Sequence, residues 1–170
     1  MYTTFGLSFE RLQAESPAAA QLLSLCAYLP PHAIEAAPFA LLGGLDLEGI
    51  EPGCSPELRR ALRDTPEPER QMEVEALFDA AQRYSLLVPD AARSVSMHRL
   101  VQDAVQVRLA AAGGEQAAVR LMGEVLATAL PNLVDSLDHK EDPRAPAVVA
   151  AVPLLRQAVE LVRHLSLIHI

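Results

Sequence analysis

The chain has 170 residues, 51% of them apolar, and a formal net charge of −8. Such a length holds one domain of ordinary size, with room for a small helical appendage, and the apolar fraction excludes intrinsic disorder. The acid excess has the wrong sign for neutralising nucleic-acid phosphates or docking on anionic lipid.

Aromatic residues make up only 4%, with no Trp, so a core must be built from Leu, Val and Ala. These side chains favour a mainly α fold, because Ala and Leu are the best helix formers. Met1-Tyr2-Thr3-Thr4 carries no basic stretch ahead of an apolar one, so no signal peptide is visible. After this extended start, Phe5, Phe9 and Leu12 have the spacing of a helix over 5–14.

Ser16-Pro17 is a strong helix start, a serine cap followed by proline at the first helical position. Leu22, Leu25, Cys26 and Leu29 then share one face, and Pro30-Pro31 ends the helix. Cys26 sits in that apolar run as a small buried hydrophobe. With Cys54 it makes neither a CxxC pair nor a disulfide framework, usage that fits a reducing cytoplasm. A short segment around Ile34 follows, then a brief helix over 39–42 ended by Gly43-Gly44.

Residues 43–70, with Gly49, Pro52, Gly53, Pro56, Pro66 and Pro68, read as an irregular insertion holding one short helix capped at Ser55-Pro56-Glu57. The next stretch is more regular. A helix is expected over 71–84, with Met72, Ala76, Leu77, Ala80 and Tyr84 on one side. Strands are expected at 85–88 and 93–97 around a turn at 89–92, with Val95 and Met97 alternating inward. A further helix spans 100–112, turning Val101, Ala104, Val105 and Leu109 inward.

Gly113-Gly114 breaks the chain before a helix carrying Val119, Met122, Val125, Leu126 and Ala129 and ended by Pro131. Residues 135–142 form a solvated acidic loop, and 148–165 a last helical stretch. The longest apolar run of the chain, 145–155, holds two prolines and is too short to span a bilayer. These two helices have the look of a tetratricopeptide-like pair without a 34-residue repeat.

The three segments TTFGLSFE (3–10) running through AQLLSLCAYL (20–29) to Pro31, then 76–77 through 84–87, then VSMHRLVQ (95–102) resemble a known region in the same order. This is the winged-helix region of NB-ARC and related STAND-type signal-transduction ATPases, especially bacterial forms with tetratricopeptide repeats. The resemblance covers residues 3–112, and residues 115–165 are similar to the spacer leading into the repeats.

It implies a winged-helix domain at 1–112, with a small β-hairpin wing, and a helical spacer at 113–164. It implies a regulatory role: the winged helix packs on a neighbouring ATPase core, clasps its ADP-bound resting state and relays sensing by the repeats. The partners implied are that core and the repeat domain of the parent protein, with oligomerisation on activation and no nucleic acid or membrane. Met97-His98-Arg99 falls at the family's Met-His-Asp position, so His98 is implied to donate to the ADP β-phosphate, with Met97 and Leu100 packed beneath it. Arg99 stands where the family has Asp, and the packing role of that acid is not carried over.

No GxxxxGK[ST] is present, and Lys140 is the only lysine. Without a phosphate-cradling loop the chain has no means of hydrolysing ATP; it is expected to be no enzyme by itself and to hold no cofactor, ADP or ATP belonging to a core upstream of Met1. The tail Leu165-Ser166-Leu167-Ile168-His169-Ile170 corresponds to a translated transposon end used in sequencing libraries and reads as non-native.

Other chemistry is weakly signalled. Asp135, Asp138, His139, Glu141 and Asp142 lack the glycine and spacing of a calcium loop. His32, His139 and His164 approach no zinc spacing, and no serine sits in a nucleophile elbow. The chief rival is a DNA-binding winged-helix regulator. Against it, the helix that would enter the groove carries Glu73, Glu75 and Asp79 with only Arg83. A helical protein–protein adaptor is the third reading.

Overall fold

A computed structural model of the chain describes residues 2–44, 55–90 and 94–138. The architecture is mainly helical with a small two-stranded antiparallel hairpin. The first helix, α1, covers Tyr2–Glu15, so the expected extended start is already helical. Phe9 and Leu12 are buried and anchor it. Ser16 both ends α1, its N–H reaching the Leu12 carbonyl at 2.7 Å, and caps α2 (Pro17–Cys26), its Oγ accepting from Ala19 N–H at 3.3 Å.

α2 is the centre of the molecule. From Ala18 to Cys26 every residue but the half-buried Gln21 is buried, and α1, α4, α5, α6 and α7 all pack against it. A helix apolar on all sides must be enclosed on all sides. It ends earlier than Pro30 suggests. The residue before a proline is driven out of the helical region, and the chain tightens into i→i+3 bonds from Tyr28 to Leu25 and from Leu29 to Cys26. The carbonyls of Ala27 and Leu29 are taken instead by Gln106 Nε2 (2.6 Å) and Gln102 Nε2 (2.8 Å).

α3 (Ala37–Ala40) runs into a 3₁₀ turn, Leu41–Gly44. Phe39 is fully buried, its ring edge-on to Phe78 at 5.8 Å and 83°. Gly43 is required: a Cβ there would lie 2.6 Å from the Leu62 carbonyl oxygen.

The stretch read as an irregular insertion is different over its described part. α4 (Pro56–Arg63) has the expected cap, Ser55 Oγ accepting from Leu58 N–H at 3.2 Å, and Leu58 and Leu62 are buried in the core. α5 (Glu67–Arg83) starts a turn earlier than expected. Pro68 suggested a loop, yet it sits in the first turn of α5, where its missing N–H costs nothing. Residues 45–54 lie outside the described residues.

The inward face of α5 also differs. Val74, Leu77, Phe78, Ala80 and Ala81 are buried, whereas Met72 is 63% exposed and Ala76 is exposed. Two overlapping apolar stripes compete on this helix. The one holding Val74 and Phe78 wins because it buries more area against Phe39. α5 closes on Ser85 at φ +56, with Leu86 N–H returning to the Ala81 carbonyl. Ser85 is therefore a helix cap rather than the start of a strand.

The hairpin is short: β1 (Val88–Pro89) pairs antiparallel with β2 (Val95–Ser96), Val88 opposite Ser96 and Pro89 opposite Val95. Val95 and Met97 alternate inward as expected. Ile34 adds a bridge on the other side of β2, exchanging both backbone hydrogen bonds with Val95 at 2.9 Å. Residues 91–93, the second half of the expected turn and the first residue of the expected second strand, are outside the described residues.

α6 (Arg99–Ala111) buries Val101 and Val105, with Ala104 and Leu109 half-buried. It ends at Gly113, whose φ of +69 suits glycine, while Gly114 N–H bonds the Leu109 carbonyl at 2.9 Å. α7 (Glu115–Asp138) passes through Pro131 instead of stopping there. A proline inside a helix removes one hydrogen bond and bends it, and need not end it. Val119, Leu121, Met122 and Val125 have no exposed surface and join the same core as α2. The expected acidic loop is helical over 135–138, where α7 ends, and residues 139–142, the later spacer helix and the tail at 165–170 lie outside the described residues.

Candidate functional site

The end of the molecule where β2 passes into α6 gathers its chemistry by alternation. Extended residues point to opposite faces in turn. Val95 and Met97 go into the core, which leaves Ser96 partly exposed and His98 exposed. Met97 N–H donates to the Pro31 carbonyl at 2.8 Å and fixes the exit of the strand.

His98 is the N-cap of α6, in an extended conformation (φ −63, ψ 136). Its carbonyl accepts from Val101 and Gln102, and its Nδ1 accepts from Leu100 N–H at 3.2 Å. An imidazole nitrogen that accepts carries no proton, so the neutral ring holds its proton on Nε2. That nitrogen has no partner among the described residues. Of the two residues expected beneath the ring, Met97 is buried but Leu100 is 41% exposed. The core stripe of α6 runs through Val101, Gln102 and Val105, and Leu100 falls off it.

Beside His98 the fold assembles three side chains that sequence reasoning did not connect. Ser96 Oγ–H donates to Asp90 Oδ2 at 2.6 Å. With its only proton so engaged, Ser96 accepts from His32 Nδ1–H at 3.3 Å. Ala33 N–H also donates to Asp90 Oδ2, at 3.4 Å, from a backbone at φ +56. Here the hydroxyl stands between carboxylate and imidazole. A serine nucleophile needs the imidazole in the middle to take its proton, so this network braces the hairpin and activates nothing. No local signal could have found it, since 64 residues separate His32 from Ser96.

The chain matches no protein-family model, no curated protein and no solved structure. What the site can do therefore rests on its own chemistry. An exposed histidine with one nitrogen committed to a helix cap presents the other as a directed donor. The head of a 13-residue helix adds the positive end of its dipole.

The remaining candidates are less equipped. Burial pushes the Cys26 thiol pKa well above its usual value, so it stays protonated and inert. No group of three metal-ligating side chains is found among the described residues. In the acidic set, His139, Glu141 and Asp142 lie outside the described residues. No described helix is long and apolar enough to cross a membrane.

Proposed function

We propose that this chain is the winged-helix segment of an NB-ARC-type signalling ATPase, a cytoplasmic clasp whose His98 donates to the phosphate of ADP held by a neighbouring core. The observation that carries the reading is the state of His98. Its Nδ1 accepts from Leu100 N–H, its ring is exposed, and it stands at the head of α6. A phosphate placed there meets a hydrogen-bond donor and a helix dipole together. Arg99, exposed at the first position of α6, adds a positive charge to the same end.

The order of elements supports the same reading. α2, the Ile34 segment, α4, α5 and the hairpin follow one another as in a winged helix, with Ile34 completing a third strand position on β2. The helix facing the hairpin is acidic, which favours a role as clasp over contact with DNA phosphates.

In the parent protein carrying the ATPase core, His98→Ala is expected to speed ADP release, whereas His98→Gln, which keeps a donor, should speed it less. Unchanged release in His98→Ala removes the proposed role. Titration of random duplex DNA at low salt separates the rival: salt-sensitive binding at about micromolar Kd would favour a DNA-binding regulator.

A further inference from the structure

We infer that the groove between α5 and the hairpin is a docking site for a basic amphipathic segment of a partner protein. This proposal stands independently of the nucleotide reading. The groove has a volume of about 510 Å³, with Met72, Glu75, Asp79 and Gln82 along one wall and Pro89, Asp90, Ser94 and Val95 of the hairpin along the other. Those α5 positions fall on one helical stripe, and ten residues of helix give a trough about 15 Å long. That length suits about three turns of a second helix laid along it.

Two features choose the occupant. The first is apolar: Met72 is 63% exposed at the lip, over a floor formed by the buried Phe78 and Val95. An exposed methionine on a groove wall is an adaptable contact for a partner's Leu or Phe. The second is charge. α5 carries Glu67, Glu69, Glu73, Glu75 and Asp79, and only two arginines.

Both arginines are turned to other work. Arg70 Nε donates to the Thr65 carbonyl at 3.1 Å, and Arg83 pairs with Glu15 at 3.1 Å. Glu75 and Asp79 are left with amide partners, Gln71 at 3.3 Å and Gln82 at 3.1 Å. No described Lys or Arg lines the groove. A segment with two basic residues one turn apart and an apolar residue beside them would complement both features.

The 170-residue chain can be titrated with a fluorescein-labelled 14-residue Lys/Leu amphipathic peptide, using a Glu/Leu peptide as its counterpart. The Lys/Leu peptide is expected to bind alone. Glu75→Lys/Asp79→Lys should weaken it at least about ten-fold, while the equal charge change Asp103→Lys/Glu124→Lys on exposed α6 and α7 positions should cost no more than about two-fold. Met72→Ser should weaken binding in high salt, where the apolar contact dominates. Equal losses in the two double variants would reduce the effect to net charge and overturn the site, as would equal binding of both peptides or none of either. A dimer of the chain that dissociates on Glu75→Lys/Asp79→Lys in sedimentation would give the groove to a second copy and overturn the proposal as well.

Discussion

The surroundings of α2 and the hairpin end are held by different forces. Around α2, apolar side chains from five helices meet with almost no exposed surface. At the hairpin end two strands of two residues each are fastened by backbone bonds to Ile34 and Pro31 and by the exposed Asp90–Ser96–His32 network. Burial is cooperative and, being uncharged, does not titrate. Exposed polar contacts are individually weak and respond to pH and salt. The candidate contact residue, His98, thus lies at the end held by exposed polar contacts and not in the apolar core.

The sharpest way to break this contrast is in α2. Leu25→Ala, at a position with no exposed surface, is expected to cost about 3 kcal/mol through lost burial and the cavity left behind. A shift in the urea midpoint measures it, and a loss under about 1 kcal/mol would mean that α2 is not the centre of the core. Gln102→Ala comes next, because Gln102 ties α6 to the Leu29 carbonyl where α2 hands over to the hairpin end. Leaving that buried carbonyl without a partner should cost about 1–2 kcal/mol in the same assay.

Ser96→Ala should cost less, about 0.5 kcal/mol in global stability. Its expected signature is local: faster amide exchange at Val95 and Met97, with the α2 amides unchanged. Exchange that rose equally in both places would erase the distinction between the regions.

The smallest effect concerns Glu35, next to the Ile34 bridge. Partial burial holds its carboxyl above the usual carboxylate range. A carboxyl with a raised folded pKa keeps its proton better when folded, so stability is complete below the ordinary pKa and falls as pH rises through the folded one. Glu35→Gln should therefore be slightly more stable than the parent at pH 7, with the gap closing below about pH 4. A gap that stayed constant across that range would place the cause elsewhere.

Legibility follows the range of the interaction. The caps at Ser16-Pro17 and Ser55-Pro56 and the break at Gly113 were readable because each is settled by residues within one turn of itself. The alternation of Val95 and Met97 was readable for the same reason. Proline misled at Pro68, where composition marks a loop and position marks a helix start.

For the candidate site, the family resemblance pointed to His98, but not to the company it keeps. The amino-acid order alone settled a helical chain with an acidic charge, its main caps and an alternating strand before a histidine, all consequences of short-range stereochemistry and burial. Tertiary packing alone decided which stripe of α5 faces inward, which carbonyls Gln102 and Gln106 satisfy, and that His32 meets Ser96. Those choices depend on contacts between residues 39 to 79 positions apart, such as Phe39 with Phe78 and Ala27 with Gln106. They are made only when competing faces are compared for how much area and how many polar groups they satisfy together.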